Sequence, residues 1–323
     1  VAIAHAPKRA DHELELIVRI LVDEFERAVF GGTSQWRRSA RLLAIILFGG
    51  PPMSPDVGGE IPDRQILVVV SEDRLTDRHR YWCGAEERLD RAYAILGGLS
   101  APANLLVRSM SYVNDQLKRG RPFFTKIVEA GVRLYEASGC SFSQPDRLGA
   151  DAAHREACES FEEWMGAAER RLKIFAIEEA EGRRDPTWRR DAAFTLHQAV
   201  ERLYGCILRT REGYSPATHQ IGALRSLAEQ VEPQLAEAWP RVGKEHRRAF
   251  ELLRQAYIRG RYAPDFRITD DELAWLAGRV GLLRSLVRAA CEESMFPPPA
   301  EMDESLTRGA DGPQRPPTPA RGS

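Results

Sequence analysis

Apolar residues recur at intervals of three and four through residues 13–30, at Leu14, Leu16, Ile17, Ile20, Leu21, Phe25 and Val29. That spacing predicts an amphipathic helix. The period then changes. Residues 41–48 form a short apolar run closed by Gly49 and Gly50, and residues 66–70 form another, rich in β-branched side chains. Both predict buried strands, joined by a loop heavy in Pro and Gly over residues 49–62. Residues 81–96 predict a helix, 103–107 a third strand, 123–130 a short helix and 131–136 an edge strand. Strands alternating with helices predict an α/β domain that ends near residue 140.

Beyond Gln144 nearly every segment is helix-periodic, with helices expected over 151–181, 187–211, 218–231, 244–260 and 270–293. Pro186 and Pro216 precede the second and third, Thr218 stands as a cap for the third, and Thr269-Asp270-Asp271-Glu272 reads as a capping sequence for the last. Short connections between long helices predict an up-down bundle. After Phe296 the chain is rich in Pro, Gly and charge, a composition that cannot bury a core and predicts disorder. The expected organisation is an α/β domain over 1–143, a helical domain over 144–296 and a Pro-rich tail over 297–323. No internal repeat is apparent.

Composition narrows the classes. Lys and Arg number 46 against 47 Asp and Glu, for a net charge of -1, which gives no general pull toward nucleic acid or anionic membrane. No apolar run approaches the roughly 20 residues of a bilayer span, and residues 1–15 hold no signal-peptide core, so a cytoplasmic protein is expected. Five scattered cysteines without a Cys-x-x-Cys pair predict reduced thiols, neither a disulfide framework nor a zinc site.

The chemistry concentrates at the two strands. Leu47-Phe48-Gly49-Gly50 is followed by Pro55-Asp56-Val57-Gly58-Gly59 and then by Pro62-Asp63-Arg64-Gln65 leading into residues 66–70. A glycine turn after a strand lets backbone N–H groups approach phosphates. Carboxylates two apart on the next strand point to one face and hold Mg²⁺. Arg64, between positions 63 and 65, is expected on the opposite face.

These segments, with Leu75-Thr76-Asp77, Tyr81-Trp82, residues 85–90 and Gly131 to Glu136, resemble the minimal nucleotidyltransferase domain of fusion proteins that carry a helical HEPN domain behind it. That family has Gly-Ser where this chain has Gly49-Gly50, and Asp-x-Asp where it has Asp63-Arg64-Gln65. A third carboxylate is expected near Asn104, yet no acid stands between Ala101 and Met110. The resemblance therefore implies a nucleotidyltransferase-like fold whose metal site, Asp63 with Gln65, is degraded, and a vestigial catalytic role for Asp63. Glutamine is a poor and uncharged Mg²⁺ partner. Mg²⁺ is implied only where the site is active, as in an alternative with Asp63 and Glu60 as ligands.

The second half resembles the HEPN domain over about residues 158–293, through residues 192–204, the turn Gly213 to His219, residues 250–257 and Arg261-Tyr262-Ala263-Pro264. The implied whole is an α+β multidomain protein, a nucleotidyltransferase-like α/β domain followed by an all-α HEPN bundle. His197, Glu201 and Tyr204 fall on one helical face. His197, Glu201, His219, Arg254, Arg261 and Tyr262, with Gly49 and Gly50, make up the expected nucleotide-binding set. Tyr204 and Tyr257 suit packing, and His197 fits either a core or a binding role. Arginine precedes histidine by the ribonuclease spacing at Arg74/His79, Arg147/His154, Arg190/His197 and Arg241/His246, a frequency that chance delivers in an Arg-rich chain. The resemblance implies binding of ATP, GTP or RNA, a homodimer through the helical domain, and a toxin–antitoxin or stress-defence setting. The alternatives are an active Mg-dependent transferase, a HEPN ribonuclease and a non-catalytic homodimeric assembly protein.

Overall fold

The computed structural model describes residues 8–30, 34–49, 63–240, 243–263 and 265–296. The loop with Gly50, Gly58, Gly59 and Glu60, and the Pro-rich tail, lie outside these residues.

The N-terminal domain opens with α1 (Lys8–Val29) and a short α2 (Gln35–Ser39), then β1 (Leu42–Phe48) and β2 (Arg64–Val70). A 3-10 turn at Asp73–Thr76 leads to α3 (Arg78–Tyr81), α4 (Cys83–Ala94), β3 (Ala103–Ser109), α5 (Met110–Lys118), α6 (Pro122–Ala130) and β4 (Val132–Glu136). The sheet order is β3-β2-β1-β4, with β2 and β3 parallel and the other pairs antiparallel. The expected edge strand is at the edge. Every residue of β2 is buried, because helices cover both sheet faces, and that is why its sequence is continuously apolar after Gln65. One face carries Ile66, Val68, Val70, Leu105 and Val107 against α1 and α4. The other carries Ala44, Ile46, Phe48, Leu67 and Val69.

Arg64 lies on the α1 face, as period two requires. Its guanidinium bonds Glu13, the Ser100 hydroxyl at 3.0 Å and the Ala101 carbonyl at 3.3 Å. Glu13 also accepts from the Ser100 N–H at 3.1 Å and hydroxyl at 2.9 Å. A buried charge pair survives when its remaining hydrogen bonds are made, as these are.

The helical domain comprises α7 (Ala150–Gly182), α8 (Trp188–Glu212), α9 (Ile221–Val231), a 3-10 turn at Pro233–Ala238, α10 (Lys244–Ala256), a short α11 (Arg259–Tyr262) and α12 (Asp270–Met295). α8 is its axis, packed by α7, α9, α10 and α12 and buried nearly all round. Gly205 makes the closest crossing, since a Cβ there would lie 2.2 Å from the Trp164 ring. The expected capping sequence is a capping box: Thr269 accepts from the Glu272 N–H, and Glu272 accepts from the Thr269 N–H. Two boundaries differ from expectation. The third helix starts at Ile221, with Gln220 as its N-cap making no side-chain bond, while Thr218 accepts from the Gln220 N–H at 3.2 Å within the preceding turn. The stretch 244–260 breaks after Ala256 into two helices.

The domains share a core. The second sheet face, α5 and α6 run into the bundle as one hydrophobic cluster. Tyr214, just past α8, packs on Phe123 and Phe124 with ring centroids 4.7 and 4.9 Å away. Its hydroxyl accepts from Arg108 at 2.6 Å. Lys126 donates to the buried Glu212 at 2.5 Å, and Arg121 pairs with Glu156. Among the described residues no helix is long and apolar enough to cross a membrane.

Candidate functional site

A cleft of about 1630 Å³ lies between the two domains. Its N-terminal wall includes Asp63, Asn104, Arg108, Glu86 and Asp90. Its helical wall includes His219, Gln220, Gly222, Arg225, Arg247 and Arg254, with Phe250, Tyr257 and Trp275 among the aromatic side chains. Charge of both signs and stacked rings line it. His246 lies parallel to Trp275 at 5.0 Å, and Arg225 sits 4.9 Å over the Phe250 ring.

Asp63 precedes β2 and opens to this cleft, where it accepts a hydrogen bond from Asn104 Nδ2 at 3.1 Å. The amide thus stands where the sequence comparison expected a third carboxylate. β2 and β3 place Gln65 level with Asn104, but Gln65 is 3% exposed, and its Nε2 has no hydrogen-bond partner. The expected pair of metal ligands is not brought together on the cleft wall: Asp63 faces it and Gln65 is buried in the sheet. A divalent cation needs several oxygen ligands, carboxylates foremost. Among the described residues no group of three or more His, Cys, Asp or Glu side chains could hold one.

Gly49 keeps its turn, with φ of +77°, the left-handed region that favours glycine. A Cβ there would lie 2.3 Å from Gln230 Oε1 of α9, so the helical domain itself is seated on the turn. Gly50 lies outside the described residues.

On the opposite wall, Glu201 and His219 form a pair that sequence spacing could not show. His219 Nδ1 lies 3.0 Å from Glu201 Oε2. The His219 ring stacks on Tyr257 at 4.2 Å and 17°. With Nδ1–H donating to the carboxylate, Nε2 is the nitrogen left to the solvent side. Arg254 is in the cleft, bonded to Glu251 at 2.9 Å, and it lowers the otherwise raised pKa of Asp90 across the gap; burial is the larger, raising cause. α9 begins here without a side-chain cap and without an acid in its first turn.

The remaining expected residues lie elsewhere. His197 is fully buried, its nitrogens facing the carbonyl oxygens of Leu253 at 2.9 Å and His219 at 3.1 Å. Burial holds its pKa below the usual imidazole range, opposed by the Leu253 carbonyl and by Glu201. It is a core residue that ties α8 to α10 and fixes the backbone of His219, not a cleft-lining ligand. Tyr204 is fully buried and accepts from Trp239 Nε1 at 2.8 Å, as a packing residue should. Arg261 and the exposed Tyr262 are not among the residues lining the cleft; Arg261 stacks over Phe194 at 5.3 Å and Tyr262 at 5.2 Å. Of the Arg/His spacings, Arg190 is spent on the Gly260 carbonyl, at 3.0 and 3.2 Å, and its partner His197 is buried.

Comparison with known proteins bears on the helical half. Residues 161–288 match the family model of the HEPN domain, so this part of the chain is a HEPN domain. No curated protein was found similar to the chain. Among solved structures, the chain is similar to a nucleotidyltransferase-like protein from Exiguobacterium sibiricum 255-15, at 12% identity, over 88% of this chain and 78% of that one, with a TM-score of 0.27. The order expected from sequence, an α/β domain and then a HEPN domain, is the order found.

Proposed function

We propose that this chain binds a nucleotide, ATP or GTP or a nucleotide of an RNA, in the cleft between its domains, and that the N-terminal domain is a nucleotidyltransferase-like pseudoenzyme. The observation that carries this is the lining of the cleft. Guanidinium groups and ring faces on one wall suit phosphate and base, and the other wall offers Asp63 already engaged by the Asn104 amide. A toxin–antitoxin or stress-defence setting follows from the HEPN domain by analogy alone. Pairing of two copies through the helical domain is favoured by exposed Ile174, Ile177 and Trp188 near the α7–α8 turn.

Calorimetric titration of ATP and GTP into the full chain tests the reading. Binding equal in Mg²⁺ and in EDTA, and lost in Gly222→Trp, which fills the helical wall, is the expected result. Binding that requires Mg²⁺ and disappears in Asp63→Ala would instead establish an active transferase site.

A further inference from the structure

The 3-10 turn at Asp73–Thr76 and α3 form a ridge on the N-terminal domain. On one side lies the cleft, with Thr76 and His79 in its wall. On the other lies a second hollow of about 540 Å³, which also has Thr76 in its wall and runs on over Arg74, Arg80 and α2. The two depressions therefore meet at one residue.

Arg37, Arg74 and Arg80 line the second hollow, and ring faces hold them. Arg37 lies 5.3 Å and Arg74 5.6 Å from the centre of the Trp36 ring, and Arg80 lies 5.2 Å from that of Tyr81. The two rings meet edge to face at 6.4 Å. Among the described residues none of the three guanidiniums pairs with a carboxylate. Arg184, Arg189 and Arg259 of the helical domain, by contrast, each face an acid, at 3.3, 2.6 and 2.8 Å. Asp73 and Asp77 share the lining of the hollow, but Asp77 is engaged with the Arg80 backbone N–H at 3.1 Å. α2 adds the exposed Arg38 and no acid. A guanidinium held by a ring face keeps its fork of N–H donors for an incoming anion, whereas one held by a carboxylate has spent part of it.

Resting on the cleft reading above, we infer that the ligand is a single-stranded nucleic acid rather than a free nucleotide. One nucleotide occupies the cleft, and the adjoining phosphodiesters cross the ridge at Thr76 to reach Arg74, Arg80 and Arg37. A mononucleotide fills the cleft and leaves the three arginines unused. A strand brings them a row of anions. The net charge of -1 on the whole chain does not oppose this, because counterions are displaced by the groups in contact with the backbone. Continuity with a nucleotide cleft favours a phosphodiester chain over an acidic peptide.

The experiment is fluorescence anisotropy of the full chain, in EDTA, with labelled single-stranded RNA and DNA of about 12 nucleotides. Affinity is followed from about 50 to 200 mM KCl. The variant Arg37→Gln/Arg74→Gln/Arg80→Gln is expected to bind both strands about tenfold more weakly at the lower salt, with a log–log salt slope shallower by about 2, at about 0.7 for each phosphate released. A change confined to RNA or to DNA would overturn the assignment to the backbone. A control, Arg155→Gln/Arg183→Gln/Arg184→Gln, removes the same charge from the helical domain and is expected to bind as the wild type does. ATP, titrated by calorimetry, is expected to bind the wild type and the first variant alike, and Gly222→Trp is expected to lose both ATP and the strand. A first variant that binds the strand like the wild type, or a control that weakens it equally, overturns the inference; if Gly222→Trp still abolishes ATP binding, the cleft reading stands without it. Loss of ATP binding in the first variant would assign the arginines to the phosphates of a mononucleotide and overturns the strand. Polyglutamate that displaces the label as well as unlabelled RNA does would make the partner an acidic peptide and overturns the nucleic-acid assignment. If Gly222→Trp leaves both ligands bound, the cleft reading falls, and the path through the cleft falls with it.

Discussion

Single side chains in this molecule carry opposite pH signatures. His197 is buried with its folded pKa lowered, chiefly by desolvation. The unfolded chain then takes up the proton first as pH falls, so the stabilisation is complete above the unfolded value near 6.5 and is lost as pH falls through the folded one. His197→Gln is expected to cost about 2 kcal/mol at pH 7.5, yet to lose less stability than the wild type between pH 7.5 and 5 in urea titrations. Glu178 is the reverse case. Burial raises its pKa, with Thr195 opposing, and its Oε2 is buried without a partner. Its contribution is present below the unfolded pKa and is lost as pH rises through the folded value. Glu178→Gln is expected to stabilise the chain by about 1 kcal/mol at pH 7, with the gain vanishing near pH 4, by the same measurement. Sequence made one of these environments legible and not the others. Arg64 could be placed opposite Asp63 because period two is a local rule. The burial of His197 depends on the carbonyls of Leu253 and His219, which lie 56 and 22 residues away. No local rule reaches that far.

Elements follow the hydrophobic period where it is strong and escape it where it is weak. β1, β2, β3 and the long helices were legible, since each buries a face or is buried entirely; β4, whose residues are exposed or half-buried, was legible as the edge strand after α6. α5 was not, because only Val113 and Leu117 of its nine residues are buried, too few to set a period, and it is started by Ser109 accepting from the Tyr112 N–H at 3.2 Å. The start of α9 was misplaced because Thr218 has the chemistry of a cap, but spends it on Gln220 inside the turn. The capping box on α12 was legible as Thr269 to Glu272, a motif whose whole geometry fits in four residues. Thr269→Ala is expected to cost about 1 kcal/mol, read as a lower urea midpoint with unchanged slope. The pairing of Glu201 with His219 lay beyond both kinds of signal, since it joins a helix to a turn.

At the scale of the whole molecule, the two domains share one hydrophobic core beside an open cleft. Tyr214 is the joint: its ring rests on Phe123 and Phe124, and its hydroxyl holds Arg108. Burial pushes the Tyr214 hydroxyl pKa up to about 12, so it stays a neutral acceptor for that guanidinium. Tyr214→Ala is expected to cost about 3–5 kcal/mol, as large aromatic truncations do. Calorimetry is expected to show one transition in the wild type and two in the variant, since the shared core is what couples the halves. That core also bears on how a nucleotide would enter the proposed cleft. If the shared core holds the walls of the proposed nucleotide cleft at a fixed separation, binding gains no area by drawing them together and carries no cost of ordering the domains. Discrimination then falls on how long a guest stays rather than on how fast it enters, and related nucleotides should differ in residence time while arriving at nearly the same rate.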